Sequence, residues 1–176
     1  QIYDEHVFMF SITSINKIFK LFNFDLIDIL PQPTHGGSMR YVLSRKGEKK
    51  ISNNVIEGLK NEEKNNLDNI SSCLIFKKKC ENSRKEIINK LNKFKTENKN
   101  ICGYAATSKS TTILNYCGID ENTIKFICDT TKEKIGKFSP GSHIPIVPIS
   151  HFHKNLPDVA FLFAWNYRQE IFAKEK

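Results

Sequence analysis

A chain of 176 residues, 39% hydrophobic and 26% charged, is long enough for one full core and part of a second, with roughly two thirds of the unfolded surface taken out of water. No apolar run approaches the ~20 residues needed to cross a bilayer, and no cationic start leading into an apolar stretch marks a secretory leader, so a cytoplasmic protein with no membrane partner is expected. The formal charge of +8 comes mainly from Lys-rich stretches (Lys77 to Lys79, then Lys90, Lys93, Lys95 and Lys99), and arginine, which a nucleic-acid surface would interleave with exposed aromatics along its basic face, is scarce, which argues against a nucleic-acid interface and for attraction of a small polyphosphate.

The first six residues place a phenol, two carboxylates and an imidazole within one helical turn. Tyr3 and His6, three apart, can face one substrate atom while Glu5 orients the imidazole ring, which makes them candidates for proton abstraction. A frayed terminus is the competing reading. The chain begins with Gln1 and continues into apolar Val7, Phe8, Met9 and Phe10, so the hexapeptide is expected to be an interior segment of a longer ordered protein. Thr13 is the expected cap of a short helix with Ile15, Ile18, Phe19 and Phe22 on one face, ending near Asn23. Residues 26–30 and 39–44 read as two strands. The loop between them carries His35, Gly36 and Gly37 and has the backbone freedom to approach a ligand.

Residues 45–54 turn polar around Gly47 and mark a domain boundary. Residues 55–70 form a weakly patterned helix. Residues 72–97 form a stronger one, with Cys73, Phe76, Cys80, Ile87, Leu91 and Phe94 on a stripe and the lysines facing away. The expected organisation is 1–45, a linker and helix over 46–70, and a second domain over 71–176. Five cysteines without a CxxC pair argue for reduced buried thiols rather than a disulfide framework or a zinc site.

From residue 100 short strands (100–105, 124–128, 159–163) alternate with helices (108–117 and a last helix), the pattern of an α/β parallel sheet with covering helices. The turn from the first strand into its helix contains Gly103, Tyr104, Ser108 and Lys109, where free amides, the helix dipole, hydroxyls and a lysine favour a phosphate. Asp129 closes the next strand, where mononucleotide-binding folds place an acid for a ribose hydroxyl. The G-x-G-x-x-G fingerprint and the P-loop are both absent. His143, in a loop between prolines, and Asn166, at a strand end, are further candidate contacts. His151 and His153 lack a third ligand for a metal.

Taken together, Tyr3-Asp4-Glu5-His6, Pro33-Thr34-His35-Gly36-Gly37-Ser38, Gly103-Tyr104-Ala105-Ala106, Leu114-Asn115-Tyr116-Cys117-Gly118-Ile119, Pro140-Gly141-Ser142-His143-Ile144-Pro145-Ile146 and Ala164-Trp165-Asn166 resemble the S-adenosylmethionine-dependent sugar C-methyltransferases. The resemblance implies that residues 1–45 are the last helix and antiparallel strand pair of a class I methyltransferase domain. Residues from about 55 onward would form most of the carboxy-terminal domain, Rossmann-like over 71–176, that helps hold a nucleotide-linked keto sugar. It further implies that the S-adenosylmethionine site and the zinc cysteines lie upstream of this chain. The family's Y-x-E-H segment supplies the catalytic base and maps onto Tyr3, Glu5 and His6. Two departures stand out. Ala105 and Ser110 occupy positions where much of the family has glycine, and the chain stops at Lys176 where the family continues into another strand, which leaves the expected sheet incomplete. The function expected on this basis is part of a methyltransferase acting at the carbon beside the ketone of a 4-keto sugar nucleotide, inactive by itself. A non-catalytic module that binds a nucleotide or nucleotide sugar is the alternative, and an NAD oxidoreductase is disfavoured by the missing fingerprint.

Overall fold

The computed structural model describes residues 8–34 and 37–176. Two compact units divide at Lys79 and Cys80, inside one long helix. Among the described residues no helix is long and apolar enough to cross a membrane.

The first unit holds helix α1 (Ile12–Lys20), strands β1 (Phe24–Gln32) and β2 (Ser38–Arg45), and helix α2 (Asn53–Lys64). The cap of α1 is Ser11 rather than Thr13. Ser11 and Ser14 exchange side-chain-to-backbone hydrogen bonds of 3.1 and 2.8 Å, while the amides of Ile12 and Thr13 both donate to the Glu62 carboxylate at 2.8 Å. An acid from α2 thus takes the first two amides of the helix, which the Ser11 cap does not reach, and it sits where the helix dipole favours negative charge. The strands pair antiparallel from Phe24 opposite Arg45 to Gln32 opposite Ser38, with a bulge between Leu26 and Asp28. Ser52 caps α2 and donates its hydroxyl to Asp28 at 2.7 Å, which ties the helix start to β1. Ile12, Ile15, Leu26, Ile29 and Val55 form the core. Gly58 lets the tips of Ile12 and Ile29 lie against α2, where a Cβ would meet them at 2.6 and 2.8 Å.

Helix α3 (Ile70–Thr96) spans the division between the units. The expected stripe holds only in its second half, where Leu91 is buried and Ile87 and Phe94 pack on the core. Cys73 and Phe76 are exposed, as are Ile70, Leu74 and Ile75 around them. The hydrophobic spacing there is real, yet no core of the described residues reaches it.

The second unit is a four-stranded, all-parallel sheet in the order β5-β4-β3-β6, built from β3 (Ile101–Tyr104), β4 (Ile127–Asp129), β5 (Ile146–Pro148) and β6 (Val159–Leu162). Helices α4 (Ser108–Cys117), α5 (Ile149–Lys154) and α6 (Arg168–Lys174) complete it. This is the Rossmann-like α/β arrangement the sequence predicts, with β5 and α5 added. Its core gathers Leu91, Ile101, Leu114, Ile124, Ile144 and Phe163. Gly103 is buried at the centre of β3, where a Cβ would meet Phe163 at 2.7 Å and Ile127 at 2.9 Å, so the missing side chain is what lets these neighbours close over the strand. Asn115 of α4 accounts for a second glycine. Its side-chain amide donates to the Pro140 carbonyl at 2.9 Å, and Gly141, at φ 77°, passes so close that any Cβ would collide with it.

Candidate functional site

In an open parallel sheet, ligands settle at the carboxyl ends of the strands where the winding reverses. Here β4 and β5 lie to one side of β3 and β6 to the other, so the loops after β3 and β6 diverge at the switch point. Residues from both meet: Lys109 Nζ donates to Asn166 Oδ1 at 2.8 Å and lies 5.3 Å from the centre of the Trp165 ring.

The turn after β3 is held from below. The Asp129 carboxylate accepts the amides of Ala106 and Thr131, each at 2.7 Å, and has the Lys134 ammonium 3.7 Å away. Lys134 also donates to the Ala106 carbonyl at 2.7 Å. Burial works to raise the Asp129 pKa, but the Thr131 and Ala106 hydrogen bonds and the Lys134 charge outweigh it and leave the carboxyl below its ordinary value. Asp129 is therefore committed to the turn, and a ribose hydroxyl would have to share oxygens already in use. Ala105, at the apex, adopts φ 72°.

Helix α4 begins at this turn. Thr107 caps it by accepting the Ser110 amide at 3.1 Å, and the Ser110 hydroxyl returns a 2.6 Å bond to the Thr107 carbonyl. The first two helical amides, of Ser108 and Lys109, lie beyond the reach of that cap. Ser108 lies on a cleft of about 450 Å³ lined also by Thr107, Thr111, Lys134 and Lys137, with Glu133 the one acid among the described residues that line it. The hydroxyls, ammonium groups and helix dipole make this cleft suited to phosphate oxygens.

A second cleft, of about 300 Å³, is lined by Tyr104, Cys128, Asp129, Tyr167, Glu170 and Lys174, among others. Ala105 lines this cleft and Ala106 the other, so one turn serves both. The Tyr104 hydroxyl donates to Glu175 Oε1 at 2.7 Å, and His153 Nε2 bonds Glu175 Oε2 at 2.7 Å. Burial, then the neighbouring Glu175 carboxylate, push the Tyr104 phenol well above its usual range. That phenol is a neutral donor at physiological pH. Phenols, carboxylates and a lysine around an apolar floor suit a polar ring such as a sugar or a base.

Of the residues singled out from sequence, Tyr104 and Asp129 line the 300 Å³ cleft and Ser108 the 450 Å³ cleft, while Lys109 and Asn166 meet at the switch point and line neither. Gly103 lies beneath them in the core. His143 is exposed at φ 55° in the 139–144 turn, where its amide donates to the Ser139 carbonyl at 3.0 Å, and it lines neither cleft. Tyr3, Glu5, His6 and His35 lie outside the described residues. His151 stacks edge-on to Phe126 at 4.9 Å, and among the described residues no cluster of three or more potential metal ligands exists. Sequence reading missed Lys134, Lys137, Tyr167 and Glu175. All four sit in irregular or terminal segments without periodicity, and only proximity in the fold reveals them.

A family described as "C-methyltransferase C-terminal domain" matches residues 33–176. The C-methyltransferase NovU of Streptomyces niveus is similar, with 30% identity over 176 residues, 99% of this chain and 42% of that protein. The chain thus spans less than half the length of the curated relative it matches.

Proposed function

We propose, from the premise that this chain belongs to the C-methyltransferase C-terminal domain family, that it is the substrate-holding part of an S-adenosylmethionine-dependent enzyme that methylates a nucleotide-linked 4-keto sugar beside its ketone. The carrying observation is the pair of clefts sharing the turn after β3. One is lined by hydroxyls and lysines suited to a diphosphate, the other by phenols and carboxylates suited to a sugar or base.

The methyl donor, when bound, supplies an electrophilic carbon on a sulfonium. The described residues do not fit it: the acid at the end of β4 that would take an adenosyl ribose already accepts two backbone amides. The donor and the family's zinc would be held by other segments of the enzyme.

The chemistry assigned to Tyr3, Glu5 and His6 rests on the motif and on what the reaction demands. A carbon beside a ketone loses a proton to neutral His6, and the developing enolate oxygen accepts a hydrogen bond from Tyr3. The carbon so deprotonated would be the nucleophile for the methyl group that a donor bound elsewhere in the enzyme would supply, the donor's sulfur keeping the electron pair of the broken bond. Glu5 holds the imidazole tautomer in which one nitrogen is free to take the proton.

Two measurements test this reading. Calorimetry of the chain with thymidine diphosphate is expected to show binding that weakens about tenfold or more in Lys109→Ala, the loss of a charge-assisted contact. Unchanged affinity would remove the switch-point lysine from the site. In the longer enzyme that contains this chain, His6→Ala is expected to slow methylation by about 10²–10⁴-fold. An undiminished rate would leave His6 without its role.

A further inference from the structure

Helix α6 is a short element with no buried residue, yet Glu170, Ile171 and Lys174 from it, with Tyr167 just before it, form one wall of the 300 Å³ cleft. A helix so placed usually stays put by burying an apolar face, and here Phe172 is 60% exposed while Ile171 is only partly covered. What fastens its far end is polar. Glu175, the residue after the helix, takes the Tyr104 hydroxyl on one oxygen and His153 on the other, each at 2.7 Å. Tyr104 is itself fixed, at the end of the central strand and edge-on to Phe152 at 5.5 Å. At its near end the helix continues from the single turn 165–167, whose Asn166 is bonded to Lys109.

From this we infer that α6 is a strap over the cleft, hinged at residues 165–167 and held shut by a clasp in which Glu175 joins Tyr104 to His153. The clasp consists of two hydrogen bonds at a partly solvated site. Breaking one removes much of what holds the strap while leaving the sheet beneath intact, the condition for a local opening well below the free energy of global unfolding. Cys128 is fully buried and lines the same cleft as the strap, with its thiol donating to the Gly103 carbonyl at 3.5 Å. The clasp holds α6 in the same way whichever ligand the cleft takes.

Cys128 provides the test. N-ethylmaleimide labelling of the chain, resolved cysteine by cysteine by mass spectrometry, reads access to the cleft at Cys128. Cys117, the last residue of α4 and buried in the core, reads global opening. In Glu175→Gln and Tyr104→Phe the labelling of Cys128 is expected to rise about tenfold or more, as expected when a charged hydrogen bond is lost, while Cys117 keeps its wild-type rate. His153→Gln, a change at an exposed side chain, is expected to give a smaller rise in the same direction, and amide exchange over 168–174 is expected to quicken in parallel. An unchanged Cys128 rate would overturn the strap. A rise shared equally by Cys128 and Cys117 would also overturn it, since the clasp would then serve only overall stability. Failure of thymidine diphosphate to bind would count against the proposed function and leave these labelling outcomes to decide the strap.

Discussion

Ala105 carries more of the site than its size suggests. Its φ of 72° lies in the left-handed region, where a Cβ costs about 1–2 kcal/mol relative to glycine-like freedom. The turn tolerates this because it is held on every side. The Ala105 amide donates to the Cys128 carbonyl at 2.8 Å, its carbonyl accepts the Thr107 amide at 3.0 Å, and the next residue is fastened to Asp129. Ala105→Gly would relieve the strain but add freedom to the unfolded chain, and these oppose each other. The relief is the larger, so the variant is expected to be more stable by about 0.5–1 kcal/mol, read as a higher urea midpoint at unchanged slope. A lower midpoint would mean that the methyl, not the backbone, is what the site keeps here, through contacts made in the cleft it lines.

At the scale of elements, the sequence was readable wherever a local signal and a tertiary need coincided. Helix α4 runs from Ser108 to Cys117 as expected, because Thr107 offers a side-chain cap and Gly118, at φ 67°, the left-handed stop. The parallel sheet was readable from alternation of strand and helix. The start of α1 was not, since its deciding partner, Glu62, comes from about fifty residues away. Strand β5 escaped because it is three residues long and ends in Pro148, which reads as a breaker; it earns its place through the ladder from Ile127 to Ile146. The long helix α3 misled in the opposite way. Its periodic stripe is present throughout, but Phe76 is 68% exposed while Leu91 is 4% exposed, and periodicity alone does not say where the core stops. For the site, Lys109, Asn166 and Asp129 could be found from strand ends and turn chemistry. The roles of Gly103 and Asp129 could not, because a glycine beneath Phe163 and an acid that anchors a turn look, in one dimension, like a glycine and an acid that meet a ligand.

Across the described part of the molecule, ionisable groups shift in one sense at each end of the pH scale. At the acid end the Ser52 and Asn54 hydrogen bonds hold Asp28 low, a Lys99 hydrogen bond does the same for Glu97, Asn122 for Asp120, and Tyr104 with His153 for Glu175. Asp129 is low despite its burial. A carboxyl depressed by folding adds stability that is present above its unfolded value, about 4, and is lost as pH falls through the lower folded value. At the alkaline end, burial pushes both the Cys102 and the Cys128 thiol up to about 12. An unfolded thiol ionises near 8.5, so the unfolded chain releases these protons first and stability falls as pH rises from about 8.5 toward 12. Thermal unfolding of the chain is therefore expected to show a plateau from about pH 5 to 8, with the midpoint dropping below about pH 4 and again above about pH 9. Asp129→Asn is expected to lower the plateau and flatten the acid fall, because the amide accepts at one oxygen only where the carboxylate accepts two backbone amides. Cys128→Ala is expected to flatten the alkaline fall without moving the acid one. An alkaline fall of the same steepness in Cys128→Ala would mean that the thiol beside the Glu175 clasp reaches solvent in the folded state and ionises there at its ordinary value.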